Sequence, residues 1–473
     1  MVDTESPQQN PEAARPEPGA PAVSPPEAQS RHTCALVVLL SVYVALSLRF
    51  LTLLPLWGGV HDEPIHFGYC KYLALVGHLP PLRSPNSTDM RFYYTTPSAG
   101  EAAHHPPGYY ALGSLVCRLL ARSSLATQNY ALRGLSLALG LTSLILLYLA
   151  CRQLLPAQPL LALAVVALVA AFPQWLMMSS VIYVETFGAA AVAGATWLLA
   201  RYARDPRRRL SLGAAGACIG FMSLTKATLL PFCLAATATA ALLIFRAPRP
   251  RGQKIRDALA CVAPLVLVAG WWYVRNLVVY GRLVPTSVVA GQLDTAIRIA
   301  GRPADMLTLL FSPPGRLYYR LALTGAFRYF WCPGDWLPPA ARPVMYPIAA
   351  LTWILLPISL WRGRARRDPD LAWVWPRFGL PLLCGLALFF FLYVRWTVTT
   401  AIQAHGEFGK FLMPLLGPFV CLLALGLKSW WGSRPALALL GALVLFFLLW
   451  DALAVYHLTT VLIPRYGALF PPP

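Results

Sequence analysis

Eleven apolar runs, separated by short polar or basic loops, constrain this chain more than any other feature. They fall at about 34–56, 130–151, 159–177, 186–201, 211–226, 228–245, 257–277, 344–361, 377–396, 411–428 and 436–457. Most are long enough for a helix to cross a hydrocarbon layer of about 30 Å, which takes roughly 20 residues at 1.5 Å each. In lipid, a segment must satisfy its own backbone hydrogen bonds, so runs of this kind read as helices. Composition agrees: 57% of the 473 residues are hydrophobic and only 12% are charged, about half the charged share of soluble domains. The expected fold is an all-α polytopic membrane protein with about 11 transmembrane helices.

The formal net charge of +20 does not point to nucleic acid, because the basic residues lie in bursts between apolar runs rather than along one soluble face. The bursts are Arg201–Arg209, Arg246–Arg256, Arg362–Arg367 and Lys428–Arg434. Loops rich in Lys and Arg stay on the cytoplasmic side. The apolar stretch Pro107–Ala121 decides the parity: counted as a span, it would throw the arginines of the first burst outside. At 15 residues with Arg118 inside, it is expected to lie along the outer interface instead. Eleven spans then leave the N-terminus cytoplasmic. Asp62, Glu63, Asp89, Glu101, Glu185, Asp294, Asp305, Asp335 and Glu407 all fall on the outer face or its boundary. So do the two longest loops, 57–129 and 278–343.

Four regions follow: a Pro-rich cytoplasmic tail at 1–31, expected to be disordered; a transmembrane module at 32–277 carrying the outer loop 57–129; the second long outer loop at 278–343; and C-terminal helices at 344–473. The first apolar run is expected to remain in the membrane as a signal anchor. Most of the ten cysteines sit in apolar runs and act as small hydrophobes. Cys70 and Cys332 fall in outer loops, where a disulfide between them is conceivable. Asn86-Ser87-Thr88 fits the N-glycosylation acceptor pattern.

Chemistry concentrates in the first outer loop, at HDEPIHFGYCKY (His61–Tyr72), GHLP (Gly77–Pro80) and HHPPGYYAL (His104–Leu112). Ionisable groups at a membrane boundary are costly unless solvated, paired or used. An ordinary solvated loop is the plain alternative. In their order and sidedness these motifs resemble the first extracytoplasmic loop of the GT-C superfamily of membrane glycosyltransferases, above all protein O-mannosyltransferases and their bacterial relatives. Further stretches resemble that family: the run from Gln128 with Arg133 near its start, FPQWLMMSSVIYVET with Glu185 where many members have Asp, GFMSLTKATLLP with Lys226, WWYVRNLVVYG with Arg275, and GEFGKFLMPLLGP with Lys410 where Arg is usual. Lysine at 410 keeps the charge but loses the bidentate fork.

The resemblance implies transfer of a sugar from a polyprenyl-phosphate donor to a glycan, lipid or protein acceptor on the outer face. Such a reaction needs a base, cations for the leaving phosphate, and an apolar groove for the prenyl chain. Asp62 is the candidate general base, since a carboxylate near low dielectric is held toward a useful pKa. Glu63 shares that role, positions the acceptor, or pairs with Lys71 or an arginine of the same loop. His66, His105, Glu185, Lys226, Arg275 and Lys410 are the candidate substrate-binding residues. A lysine closing an apolar span on the outer side, as Lys226 does, calls for an anion, either phosphate or Glu185; phosphate is the reading taken. Arg275 either contacts ligand or snorkels beside Trp271, Trp272 and Tyr273. No resident metal is expected on spacing, although His61, Asp62 and Glu63 could hold a divalent ion. A lipid transporter or flippase is the rival reading, and an inactive glycolipid-binding relative a third.

Overall fold

The computed structural model describes residues 26–56, 62–87, 89, 91–285, 324–332, 336–400 and 407–465; side chains at 26–29, 393–400 and 407–408 are outside that description. His61, Asp294, Asp305 and Asp335 therefore lie outside the described residues, as does most of the second long loop.

The described chain is helical. In order come α1 (Pro26–Leu53), α2 (Glu63–Val76), α3 (Phe92–Thr95), α4 (Gly108–Leu119), α5 (Leu125–Leu154), α6 (Pro159–Ala170), α7 (Pro173–Ser179), α8 (Glu185–Arg204), α9 (Arg209–Ser223), α10 (Leu230–Arg246) and α11 (Arg251–Tyr280). Beyond the second loop follow α12 (Arg342–Ala365), α13 (Pro369–Val374), α14 (Leu380–Thr400), a 3₁₀ segment Glu407–Leu415, α15 (Leu416–Trp431) and α16 (Ser433–His457). Every one of the eleven apolar runs is helical. Among the described residues eight helical stretches are long and apolar enough on their own to cross a membrane, and the bent pair α6–α7 makes up to nine. The other two runs are α9, only 15 residues long, and α8, diluted by Gly, Thr and the arginines of its last turn. Eleven spans remain compatible with this structure. α1 starts at Pro26, so residues 26–31, expected to be disordered, are already helical.

Local chemistry explains the breaks. Ser124 caps α5 by accepting from the Thr127 N–H, satisfying one of the orphan donors of a helix start. α2 ends at Gly77, whose φ of 80° is the left-handed conformation that glycine adopts without strain. The 68° bend between α6 and α7 falls at Phe172-Pro173, where proline forces the preceding residue out of the helical region. α9 packs closely on α11 because Gly216 faces the Cys261 carbonyl, where a Cβ would collide. Small residues at such contacts let membrane helices approach closely.

The helices alternate between two chemically distinct ends. At one end the basic bursts meet: Arg204 donates to the Gln153 carbonyl at 3.0 Å and covers the Trp373 ring at 4.1 Å. Arg209 and Arg249 both pair with the buried Asp257, at 2.7 and 2.9 Å, and Lys428 bridges Asp368 and Asp370. The outer-loop residues gather at the opposite end. There α2 and α4 pack together around a cluster of Phe67, Tyr69, Cys70, Tyr93, Tyr94, Tyr109 and Tyr110. α4 turns Tyr109, Tyr110 and Cys117 inward and leaves Leu115 and Leu119 exposed, the amphipathic pattern of a helix lying along an interface. All ten cysteines are free. Cys70 and Cys332 are buried in separate apolar clusters, so the conceivable disulfide between them does not form: each thiol is sequestered in a different core.

Candidate active site

The site is built where α2, the loop before α8, the turn after α9 and the 3₁₀ segment Glu407–Leu415 converge. Asp62 is the N-cap of α2. Its Oδ2 accepts a hydrogen bond from Lys410 Nζ at 2.6 Å and another from the Tyr183 hydroxyl at 3.2 Å. Lys410 lies 348 residues downstream, so only the closed bundle joins the pair. Asp62 is thus set against a cation rather than in bare apolar surroundings, and a charge-assisted contact of this length is strong and directional.

Glu63, next in sequence, faces the other way. Both its oxygens receive Arg133 of α5, Nε to Oε1 and Nη2 to Oε2, each at 2.7 Å, and the two side chains are wholly buried. The Ile182 N–H also donates to Oε1, at 3.2 Å. Arg133 spends its remaining N–H groups on the carbonyls of Leu51, Leu54 and Pro55. This network ties the end of α1 to the start of α2 and holds Asp62 from behind. Of the alternatives for Glu63, pairing within its own loop is not the one that forms: Lys71 instead donates to the Tyr94 carbonyl at 2.6 Å.

A second ion pair lies alongside. Lys226 donates to Glu185 Oε1 at 3.0 Å with both side chains nearly buried, and Glu185 Oε2 is buried without a partner. The Lys226 ammonium sits 4.2 Å from the centre of the Phe411 ring and that of Lys410 5.7 Å from the same ring. Both cations therefore flank one aromatic side chain. Tyr183 and Phe411, on which the geometry turns, lie inside quoted motifs but carry no charge to single them out from their neighbours.

The histidines close the third side. His66 follows Asp62 by one helical turn, and its Nδ1 lies 2.8 Å from the Tyr110 hydroxyl; the same hydroxyl lies 3.0 Å from Nδ1 of His105. Burial pushes the His66 imidazole down to about 3, the Lys226 and Lys410 ammoniums adding to the effect and Asp62 opposing it. Burial, with His104 and Lys226 beside it, likewise holds His105 well below the usual histidine range. Both rings are therefore neutral near pH 7. Arg275 is half-buried against Trp272 and Tyr280, each ring centre 5.4 Å away, and donates to Asn276 and Tyr280. It adjoins Tyr69 but joins neither ion pair. Among the described residues no cluster of His, Cys, Asp and Glu could hold a metal ion; His61, one of the three groups considered for a divalent ion, lies outside them.

Two apolar pockets lie within the bundle. One passes Met222, Phe232 and Leu415 and reaches down to Leu154 and Val374. The other, between α12 and α14, is walled by Phe330, Trp331, Trp353 and Phe390 and reaches Leu412, two residues from Lys410.

The model of the dolichyl-phosphate-mannose-protein mannosyltransferase family matches residues 104–273, a stretch holding His105, Tyr110, Arg133, Tyr183, Glu185 and Lys226. The chain is mannosyltransferase-like there. No curated protein matches it. Solved structures of the oligosaccharyltransferase of Archaeoglobus fulgidus align at low similarity. A crystal structure with Zn and sulfate shows 15% identity over 88% of this chain and 53% of that one, at a TM-score of 0.43. The AglB complex with an inhibitory peptide and a dolichol-phosphate shows 14% identity over 95% and 57%, also at 0.43. The chain thus spans little more than half the length of these structures. The mannosyltransferase-like segment and the apolar helices make this a glycosyltransferase-like integral membrane protein.

Proposed function

We propose that the protein is a membrane glycosyltransferase that moves a sugar from a polyprenyl-phosphate donor to an acceptor hydroxyl on the extracytoplasmic face, with the N-terminus cytoplasmic. The observation that carries this reading is the convergence of Asp62, Lys226 and Lys410 around Phe411, in a segment whose Leu412 and Leu415 line apolar pockets of the bundle. A base, two cations and an apolar path are what the reaction requires. Asp62 takes the proton from the acceptor hydroxyl as its oxygen attacks the anomeric carbon. The bond from that carbon to the phosphate oxygen breaks, and its electron pair leaves with the phosphate. Lys226 stabilises the charge that grows there, and Lys410 fixes Asp62 while adding positive potential. Glu63, held by Arg133, positions Asp62 rather than exchanging protons. A pocket lined by Leu, Phe and Trp suits the prenyl chain.

A flippase built on the same lipid-binding features is the rival. Reconstitution of the purified protein with polyprenyl-phosphate mannose and a hydroxyl acceptor separates them. The proposal expects free polyprenyl phosphate to appear with mannosylated acceptor. Movement of intact donor between leaflets without cleavage would favour the rival.

A further inference from the structure

Tyr110 presents a single hydroxyl to two imidazole nitrogens, and one hydroxyl has one proton. With both rings neutral, it donates to one Nδ1 and must accept from an Nδ1–H on the other, so His66 and His105 hold opposite tautomers. The shorter contact, 2.8 Å to His66 against 3.0 Å to His105, is the one assigned to the O–H donor, and the longer to the Nδ1–H of His105. Tyr110 is well placed to impose this choice: it is fully buried and stacked on Tyr69 at 3.8 Å, and the Tyr69 hydroxyl reaches the His105 carbonyl.

The consequence falls on the far nitrogen of His66. With Nδ1 accepting, Nε2 carries the proton, and that Nε2 is buried with no partner. The same site holds a complementary orphan, Glu185 Oε2, an acceptor that is also buried and unpaired. Buried polar groups are nearly always satisfied, and exceptions call for a ligand or a strained role. Other charged groups acting on His66 are Asp62, Lys226 and Lys410; all three already have partners.

We propose that Tyr110 is a positioning residue that locks His66 as the Nε2–H tautomer, and that this N–H and the open oxygen of Glu185 read hydroxyl groups of the transferred sugar, one donating to a hydroxyl oxygen and the other accepting a hydroxyl proton. This rests on the glycosyltransferase reading of the site. It also predicts the substrate class: a sugar with free ring hydroxyls, recognised apart from its phosphate.

The test has one arm independent of activity. In the full-length protein with ¹⁵N-labelled histidine, His66, assigned by its loss in His66→Gln, should show a protonated Nε2 and an unprotonated Nδ1. Tyr110→Phe, which keeps the ring stack, should turn that signal into a mixture. In the second arm, binding of polyprenyl-phosphate mannose should weaken about tenfold in Tyr110→Phe and in His66→Leu, with polyprenyl phosphate binding unchanged. His66→Gln, whose amide can place an N–H near the same point, should recover part of the loss. An Nδ1–H tautomer for His66 in the wild-type protein would overturn the proposal. Equal weakening toward donor and bare polyprenyl phosphate would overturn it as well, since it would mark a merely structural role. A wild-type protein that binds neither lipid fails the glycosyltransferase reading instead, while the tautomer signal still reports on Tyr110.

Discussion

Replacing Glu63 with Gln separates a structural carboxylate from a catalytic one. Glu63 and Arg133 are both wholly buried and joined by two contacts of 2.7 Å. Glutamine keeps the shape but removes the charge, leaving the guanidinium with three backbone carbonyls and no counter-ion. Removing one partner of a buried pair costs about 3–5 kcal/mol, because the other charge remains uncompensated. The carbonyls offset part of this, so the lower end, roughly 3 kcal/mol, is expected. The assay is thermal unfolding in detergent followed by intrinsic fluorescence. Glu63→Gln should lower the midpoint by several degrees, and Glu63→Gln combined with Arg133→Met should recover much of the loss, since a buried pair replaced together by neutral groups is nearly neutral. A variant with the wild-type midpoint but no sugar transfer would refute this reasoning and return Glu63 to the chemistry.

Lys226→Met should weaken donor binding by about 1.5–3 kcal/mol, one to two decades; near-normal donor binding in the double variant Lys226→Met with Glu185→Gln would instead show a lysine that only neutralises Glu185. His66 makes stability depend on pH: with its folded pKa near 3 against about 6.5 unfolded, the unfolded chain binds the extra proton, so stability is full above 6.5 and lost as pH falls toward 3. At pH 5 this amounts to about 2 kcal/mol, and His66→Gln should flatten that acid limb of the midpoint curve; an unchanged limb would contradict the burial of a neutral ring. With the exposed Cys34 and Cys384 replaced, a cysteine at Arg122 should react with an impermeant label from outside and cysteines at Arg208 or Arg366 should not, whereas outside labelling at Arg208 would overturn the eleven-span topology.

The bundle was legible because bilayer thickness fixes helix length and the basic loops mark one side; all eleven apolar runs are helical. The angle of the bend at Phe172-Pro173 was not legible, since hydropathy alone does not report helix direction. In the site, residue type revealed Asp62, Glu185, Lys226 and Lys410 as groups needing a reason to be near lipid. Their partners were not legible. Glu63 meets Arg133 across 70 positions and Asp62 meets Lys410 across 348, separations that only helix packing closes. The roles of Tyr110 and Tyr183 were not legible either, because a tyrosine near a membrane surface is ordinarily an interfacial anchor. Lys226 shows where sequence reasoning stops: a lysine at that boundary calls for an anion, and Glu185 and a phosphate meet that need alike until the bundle places Glu185 at 3.0 Å.

The most direct measurement compares wild type with Asp62→Asn in the same membranes, reading both sugar transfer from polyprenyl-phosphate mannose and binding of that donor. The account predicts that Asp62→Asn folds and binds donor within a few-fold of wild type, while transfer falls on the order of 10²- to 10⁴-fold, the loss expected on removing a general base. Transfer by Asp62→Asn at the wild-type rate would contradict it.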